Sequence, residues 1–177
     1  DPTIKYEDIV IRTRELMKQS VQLRLRSDVP LAFCMSGGID SNSLISIAKN
    51  LLDYDVHGFT IINQDKRYDE KEIVEHAVKE QNLKHTEIPI DPRNFLPNLR
   101  ELICYHDAPV YTITYFAHWL LMKSIAEHGY RISISGTGAD ELFSGYFDHH
   151  LSYFSEIYKD EKLYEKSYNY WKKYIYP

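Results

Sequence analysis

A glycine-rich loop with one carboxylate, CMSGGIDSNS, occupies residues 34–43. Gly37 and Gly38 let backbone N–H groups approach phosphate oxygens closely, and Ser36 and Ser41 add hydroxyl groups. The segment that follows has a helical pattern, and the positive end of that helix would favour an anion at the same place. These residue types at this spacing predict a phosphate-binding loop.

The loop lacks the lysine that ends the common Gly-Lys-Ser/Thr phosphate loop, and it carries Asp40 instead. A carboxylate repels phosphate unless a cation lies between them, and Mg²⁺ commonly bridges protein carboxylates and phosphate oxygens. Transfer of a γ-phosphoryl group is therefore disfavoured. A loop that holds two linked phosphates suits a reaction in which the α-phosphate of ATP is attacked and pyrophosphate leaves. Taken alone, the same residues also fit an ordinary strand-to-helix turn capped by Ser41 or Asp40.

A second polar loop, SGTGADE, follows another apolar segment at residues 135–141. Asp140 in this loop can supply a second carboxylate for Mg²⁺. Ligands of open parallel sheets bind beyond the carboxyl ends of the strands, where the strand order reverses. If the strands before the two loops are neighbours, both loops face one crevice. That convergence favours a site for ATP and Mg²⁺ over two unrelated turns.

The segments around the loops alternate between strand and helix patterns. A continuous apolar run predicts a strand at residues 31–35, an alternating pattern predicts one at residues 85–90, and further strands are predicted at residues 56–62 and 131–135. Helices are predicted at residues 6–26 and 44–52, after a cap at Asp69, and at residues 92–105 and 113–128. The inner face of the first helix is expected at Ile9, Thr13, Leu16, Ser20 and Leu23. This order predicts an α/β fold, a Rossmann-like parallel sheet with helices on both faces.

The end of the chain changes in composition. The segment after Tyr146 is rich in Tyr, Lys and Glu and has a helical pattern. We therefore predict a nucleotide-binding core at residues 6–146 and a helical C-terminal extension at residues 147–177, within one incomplete domain over residues 1–177.

Composition narrows the class of protein. A chain of 177 residues with 44% hydrophobic and 27% charged residues is ordinary for one globular domain. Its 21 basic and 26 acidic residues give a net charge of −5, which disfavours sequence-independent binding of nucleic acid through many Lys and Arg side chains. Absence of a long apolar run argues against a membrane protein, and two cysteines without a disulfide pattern fit the cytoplasm. The chain begins at Asp1 rather than Met, so we expect it to be part of a longer polypeptide.

Several segments resemble a known family in the family's own order. SGGIDS resembles the PP-loop of ATP pyrophosphatases. Four segments resemble the synthetase domain of asparagine synthetases. They are LRSDVPLAFCMSGGIDS, YDE at residues 68–70, HDAPV at 106–110 and SGTGADELFSGY at 135–146. The resemblance covers Tyr6 to Tyr146 and implies the adenine nucleotide alpha hydrolase-like PP-loop fold.

The resemblance also implies an activity. MgATP would activate a carboxylate, with aspartate favoured, as an acyl-adenylate, and ammonia derived from glutamine would then form the amide. Pyrophosphate and Mg²⁺ would be held by Ser36, Gly37, Gly38, Asp40 and Ser41, with Asp140 as the second metal-facing acid. The nucleotide would lie against Cys34 and Ile61 on its adenine side and against Ser135 and Gly136.

The acceptor pocket is less well defined. His106 and Asp107 lie where the family lines this pocket, although a capped helix end explains them as well. Residues 111–115 either shape the pocket or pack in the core.

One departure from the family concerns the acceptor. Thr137 stands where the family usually has a glutamate tied to forming the aspartyl-adenylate, so we count it with Asp40 and Asp140 as a candidate catalytic residue. Threonine can donate a hydrogen bond but supplies no negative charge. The acceptor therefore stays open between aspartate and another carboxylate, such as a sugar uronate amidated for a surface polysaccharide. A nucleotide-binding module without catalysis is a further alternative.

Other departures concern completeness. The family's glutaminase domain, with its N-terminal cysteine nucleophile, and a later segment with an arginine-rich stretch and a lysine are absent from these residues. Ammonia is therefore expected from a glutaminase domain outside this chain, and the fragment alone can prove inactive. Thiolation of a tRNA base, another PP-loop reaction, would call for a basic face and sulfur-handling cysteines, which the sequence does not show. The sequence does not indicate an oligomeric state.

Overall fold

The computed structural model describes residues 3–62 and 70–176. The strands in these ranges are Leu31–Cys34 (β1), His57–Ile62 (β2), Lys84–Pro89 (β3) and Ile132–Ile134 (β4). The α-helices are Tyr6–Arg24 (α1), Ile39–Ser46 (α2), Lys71–Gln81 (α3), Phe95–His106 (α4), Ile113–Glu127 (α5), Ala139–Phe143 (α6), Phe147–Ile157 (α7) and Glu161–Tyr174 (α8). A π-helical stretch, Ile47–Leu51, continues α2, and a 3₁₀ turn, Pro92–Asn94, precedes α4. Within the described ranges, no helix combines the length and apolar character needed to cross a membrane.

The strands form one parallel sheet in the order β3-β2-β1-β4. The chain runs outward from β1 to β3 and then returns, so that β4 pairs with β1 with Phe33 opposite Ile134. The predicted parallel sheet is therefore confirmed. The sequence analysis set the neighbourhood of the first and fourth strands as a condition for a shared crevice, and the pairing of β1 with β4 meets it.

Apolar side chains cover both faces of the sheet because successive residues of a strand point to opposite sides. On one face the core consists of Val21, Leu31, Phe33, Met35, Ile45, Ala48, Val56, Val74 and Leu83. On the other face it consists of Ala32, Phe59, Leu121 and Ile125. Helices α1 to α3 thus cover one face and α5 covers the other, as predicted. Each fully buried large side chain, such as Phe33, contributes about 1.5–3 kcal/mol.

The inner face predicted for the first helix is largely wrong. α1 ends at Arg24 rather than Arg26, and its one fully buried side chain is Val21. The predicted inner residues that are exposed are Ile9, Leu16, Ser20 and Leu23. The half-buried positions are Thr13, Met17 and Leu25. The helix contacts the π-helical stretch after α2, and this local contact, rather than the widest apolar stripe, decides which side chains are buried.

Other predicted bounds shift slightly. α2 begins at Ile39, directly after the glycines, rather than at residue 44. The strand bounds differ by one residue at each shifted end. The predicted cap of the third helix, Asp69, lies outside the described residues, and Glu70 occupies the N-cap position of α3.

The π-helical stretch redirects the chain after α2. The Tyr54 N–H donates to Ala48 O at 2.9 Å, and the Tyr54 hydroxyl accepts a hydrogen bond from the Leu31 N–H at 3.0 Å. Leu31 begins β1, and its side chain is buried. The wide helical turn therefore brings a side chain from the end of this helix back to the start of the strand that precedes it.

The chain divides into two compact units, one up to Gly136 and one from Thr137. The second unit contains α6, α7 and α8. Its two longer helices pack through aromatic rings, with Trp171 at 5.5 Å from Phe154 and 5.7 Å from Phe147 between ring centroids. The predicted helical C-terminal extension is confirmed as helices. The proposed bounds of the core and extension, 6–146 and 147–177, stay a prediction.

A buried histidine at the start of β2 links β3 to the segment before β4 on the second face of the sheet. The His57 side chain hydrogen-bonds through Nδ1 with the Tyr130 hydroxyl at 3.0 Å and through Nε2 with Thr86 Oγ1 at 2.8 Å. Burial, aided by the nearby positive charge of Lys84, lowers the pKa of His57 from 6.5 to about 4. The ring is therefore neutral in the folded protein at neutral pH.

We expect the protein to lose stability as the pH falls from about 7 to 4. In the unfolded chain His57 binds a proton near pH 6.5, whereas the folded chain resists protonation down to about pH 4. This contribution to stability is therefore complete above pH 6.5 and is lost as the pH falls to 4, with a total of about 3 kcal/mol. His57→Gln keeps a donor and an acceptor but cannot be protonated. Urea unfolding should show a flatter pH dependence for this variant, and equal slopes in both proteins would contradict the assignment.

Candidate functional site

Two serine hydroxyl groups hold the loop after β1 together. The Gly38 N–H donates to Ser36 Oγ at 3.2 Å, and the Ser36 N–H donates to Ser41 Oγ at 3.2 Å. The two hydroxyl oxygens lie 3.0 Å apart, and Ser41 is buried. Both serines were predicted to contact phosphate. In this structure their hydroxyl groups shape the loop, and the phosphate contact stays a prediction.

Asn42, near the start of α2, has a role in holding the loop that the sequence analysis missed. Its Nδ2 donates to Ser36 O and to Gly38 O, both at 2.8 Å, so one amide ties the two ends of the turn together. Its Oδ1 is buried and has no hydrogen-bond partner among the described residues. The available signal was the spacing, because an asparagine four residues after Gly38 can reach back over one helical turn.

The first turn of α2 is open to an anion. The helix begins after Gly38, whose extended backbone (φ −69°, ψ 149°) forms the N-cap, and no side chain caps it. The first N–H groups of a helix have no partner within the helix, and the helix dipole adds positive potential at this end. Residues 39–41 therefore present backbone donors directly after the glycine pair. This arrangement fits phosphate oxygens.

The chain after β4 approaches this same turn. A Cβ atom placed on Gly136 would lie 2.9 Å from Ser41 N and 3.0 Å from Asp40 Cβ, which is closer than real side chains come. Only glycine fits at this position without movement of the backbone. Ser135, the residue before it, is exposed. Of the predicted nucleotide-binding residues, Gly136 is thus brought together with the first loop.

Cys34 and Ile61 lie deeper, at the ends of β1 and β2. Both are half-buried and pack on the apolar cluster that contains Phe59 and Leu121. Burial raises the pKa of the Cys34 thiol, although a hydrogen bond with Ser133 acts in the opposite direction. The structure therefore places these two predicted adenine-contacting residues on one face of the sheet, next to the loop. Their contact with a nucleotide stays a prediction.

Thr137 and Asp140 belong to the second unit. Asp140 lies in the first turn of α6, and its carbonyl oxygen accepts a hydrogen bond from the Gly145 N–H at 3.0 Å. A neighbouring carboxylate, Glu141, accepts a hydrogen bond from the Tyr146 hydroxyl at 2.8 Å, and this bond lowers the pKa of Glu141. The predicted sharing of one magnesium ion between Asp40 and Asp140 stays a prediction.

A second residue that the sequence analysis left out of the site is Glu70. The Gly37 N–H donates to Glu70 Oε2 at 2.7 Å. The contact joins residues 33 positions apart, so no local spacing in the sequence indicates it. YDE at residues 68–70 had been noted for its family resemblance alone.

Three of the predicted acceptor residues, His106, Tyr111 and Tyr115, line a small cavity of about 80 Å³ in the first unit. It is lined by Leu102, His106, Pro109, Val110, Tyr111 and Tyr115. Asp107 ends α4 in a left-handed conformation (φ +55°), and its N–H donates to Ile103 O at 2.9 Å. The structure thus shows Asp107 as a helix cap and His106 as part of the cavity wall.

The acidic groups near the loop fit a magnesium ion only if phosphate oxygens and water supply its other ligands. Asp40 lies in the first turn of α2, beside the amides that suit an anion. Among residues 3–62 and 70–176, no cluster of three or more His, Cys, Asp or Glu side chains is placed to hold a metal ion. Mg²⁺ in nucleotide sites commonly uses one or two carboxylates together with phosphate oxygens and water. The residues present therefore fit a magnesium complex of a polyphosphate better than a free ion.

We expect Gly136→Ala to weaken binding of MgATP by about tenfold, because the new methyl group displaces the first turn of α2. Isothermal titration calorimetry would measure the change. Gly58→Ala is a matched control, since its methyl group would meet Met35 Sδ at 3.2 Å, the flexible part of a side chain. Equal losses of MgATP affinity in both variants would contradict the close approach as the cause.

Several known proteins are similar to this chain. Asparagine synthetase [glutamine-hydrolyzing] 1 of Bacillus subtilis is 26% identical over 79% of this chain, and Amidase chyE of Penicillium rubens is 24% identical over 79%. The chain spans only 22% and 23% of the lengths of these relatives. In the solved structure of an NH3-dependent NAD synthetase from Campylobacter jejuni, the matched part covers 81% of this chain and 62% of that chain, with 18% identity and a TM-score of 0.47. A likeness this distant adds nothing to the fold described above.

The family model of asparagine synthase matches residues 12–173. The match includes the loop after β1, the uncapped start of α2 and the loop after β4. Because it spans nearly the whole chain, this protein belongs to the asparagine synthase family.

Proposed function

We propose that the intact protein is an ATP-dependent ligase that forms an amide by way of an acyl-adenylate. The observation that carries the proposal is the uncapped first turn of α2, which follows two glycines and has Gly136 packed against one side of it. Backbone N–H groups in this position stabilise negative charge on a departing pyrophosphate. Family membership supports the same chemistry.

Each loop residue has a distinct proposed role. Gly37 and Gly38 leave room for the β- and γ-phosphates of ATP, and Ser36 and Ser41 fix the shape of that space through their hydroxyl groups. Asp40 would hold Mg²⁺ against the phosphate oxygens, and ATP with Mg²⁺ supplies an activated α-phosphorus for attack by a carboxylate. Asp140, four residues after Gly136 in the chain, is proposed as the second acid for this ion.

The nucleoside part of ATP is proposed to extend along the second face of the sheet. Cys34 and Ile61 would pack on the adenine ring, since both are half-buried at strand ends next to the loop. Ser135 and Gly136 would lie against the nucleotide on the β4 side. The raised pKa of Cys34 keeps this thiol neutral at physiological pH, so it suits apolar packing rather than nucleophilic attack.

Aspartate is the favoured acceptor, and a sugar uronate is the alternative. Thr137 favours the alternative, because it replaces a glutamate that the resemblance ties to the aspartyl-adenylate. One relative carries the name asparagine synthetase and another carries the name amidase, at nearly equal identity. Similarity at this level therefore does not select the acceptor. The name of the Bacillus relative describes that protein as glutamine-hydrolyzing. We propose that ammonia for the present reaction likewise comes from glutamine, through a glutaminase domain outside the matched residues.

The reaction can be tested with the intact protein, MgATP, ammonia and a panel of aspartate and uronic acids. We expect release of AMP and pyrophosphate that depends on one acceptor, and mass spectrometry should identify the matching amide. Detection of ADP and orthophosphate in place of AMP and pyrophosphate would overturn the proposal. Binding of MgATP without pyrophosphate exchange for any acceptor would instead favour a module without catalysis.

Asp40→Asn should reduce formation of AMP by roughly 100-fold, because the amide cannot balance the charge of the magnesium ion. Asp53→Asn is the control, since Asp53 is an exposed aspartate at φ +51° that asparagine replaces without strain. Initial rates of pyrophosphate release measure the effect. A variant at position 40 that keeps the rate of the control would remove Asp40 from the proposed mechanism.

Thr137→Glu tests the acceptor assignment separately from the nucleotide site. We expect the ratio of rates with aspartate and with a uronic acid to change by about tenfold or more, while the affinity for MgATP changes little. The measurements are competition assays for the two acceptors and calorimetry for MgATP. An unchanged acceptor ratio would contradict the proposed role of Thr137.

A further inference from the structure

The phosphate loop shares one of its backbone donors with a carboxylate of the same chain. Glu70 Oε2 accepts a hydrogen bond of 2.7 Å from the Gly37 N–H. The other two amides of the turn, Ser36 and Gly38, donate to serine hydroxyl groups within the loop. Each N–H group carries one hydrogen, so Gly37 cannot donate fully to Glu70 and to a phosphate oxygen together.

The contact depends on Gly37 and on the position of α3. A Cβ atom on Gly37 would lie 3.3 Å from Glu70 Cβ, from Glu70 Oε2 and from Ile73 Cγ2. The helix that carries these residues is fixed in the core through Val74, which is almost fully buried. The backbone of Glu70 is therefore held beside the loop, while its exposed side chain can rotate about three bonds.

The negative charge of Glu70 affects both the strength of this hydrogen bond and the binding of an anion to the loop. A carboxylate that accepts from an amide forms a stronger hydrogen bond than a neutral acceptor does. Asp40, in the first turn of α2, already places one negative charge at this site. Glu70 adds a second, so a polyphosphate must both displace a charge-assisted hydrogen bond and overcome repulsion from a nearby carboxylate.

We propose that Glu70 is an internal competitor of pyrophosphate for the Gly37 N–H, and that it weakens the hold of the loop on this product and so aids its release. The inference rests on the proposed function, in which this loop binds the departing pyrophosphate. Glu70 touches the binding group rather than a reacting atom, and it acts by occupying an amide. Its carboxylate also increases the dependence of binding on Mg²⁺, since the cation screens the repulsion.

The test compares the affinities of the intact protein and its variants for inorganic pyrophosphate by calorimetry, with and without Mg²⁺. Glu70→Gln keeps a neutral acceptor of the same length, and Glu70→Ala removes the acceptor. Both should bind pyrophosphate about three- to tenfold more tightly than the wild type, with the larger gain in the absence of Mg²⁺. Glu70 provides no side-chain cap for α3, so the variants should keep this helix, and far-UV circular dichroism would check that they are folded.

Glu72→Gln is the matched control. Glu72 lies in the first turn of the same helix and is exposed, so this variant removes an equal charge without touching the loop. It should bind pyrophosphate like the wild type. A gain as large as that of Glu70→Gln would show a general charge effect and overturn the inference.

Two further outcomes would also overturn it. If Glu70→Gln equals the wild type and Glu70→Ala binds less tightly, Glu70 is a brace that supports the loop. If no variant binds pyrophosphate, both the inference and the proposed function are wrong. Tighter binding by both Glu70 variants in a protein that forms no AMP would support the competition for the Gly37 N–H and overturn the proposed function, and with it the role in product release.

Discussion

The parallel pairing of β1 with β4 is the constraint on which the site depends. Its hydrogen-bonded register aligns Phe33 with Ile134, so the two strands end at the same edge of the sheet. The residues that follow are therefore forced into one neighbourhood, although about a hundred positions separate them in the chain. At this edge the backbone of Gly136 lies so close to the first turn of α2 that a methyl group added to Gly136 would collide with it. Because the two backbone segments are packed this closely, neither Gly136 nor the first turn of α2 can shift toward the other.

The loop uses its side chains mainly to shape itself. The hydroxyl groups of Ser36 and Ser41 and the amide of Asn42 satisfy donors and acceptors inside the turn. This leaves the helix start, rather than side chains, as the part of the loop that suits an anion. Backbone donors are fixed in direction by the helix, so they need little reorganisation when charge develops beside them. A site built in this way is pre-organised before any ligand arrives.

The sequence predicted the strands, the parallel sheet and the position of the loop because these follow from local patterns. A continuous apolar run marks β1, which is buried on both faces, and an alternating pattern marks β3. The strand order was considered only as the condition under which the two loops share one crevice. The fit of Gly136 was predicted only as a place near the nucleotide. Its close packing on Asp40 Cβ is a tertiary contact, which no local sequence pattern indicates.

The failures have the same physical origin. The contact of α1 with the π-helical stretch decides which of its side chains are buried. The periodicity of one segment does not show which element that segment packs against. Glu70 reaches Gly37 across 33 positions, and its residue type alone suggests an exposed surface acid. Asn42 was overlooked because the helix was expected to begin at residue 44 rather than at Ile39. In each case a tertiary contact decided the role.

The wide turn after α2 has a mechanical consequence. Through it, the Tyr54 hydroxyl holds the first amide of β1, while the serine hydroxyl groups hold the loop at the other end of that strand. Strand, loop, helix and tyrosine thus form a closed ring of covalent and hydrogen bonds, and α2 cannot slide along β1 without breaking it. Motion at the loop end of this ring is therefore limited to side-chain rotation and to the elements outside it. The Leu31 amide, although it opens a strand, should exchange its hydrogen as slowly as one in the middle of the sheet.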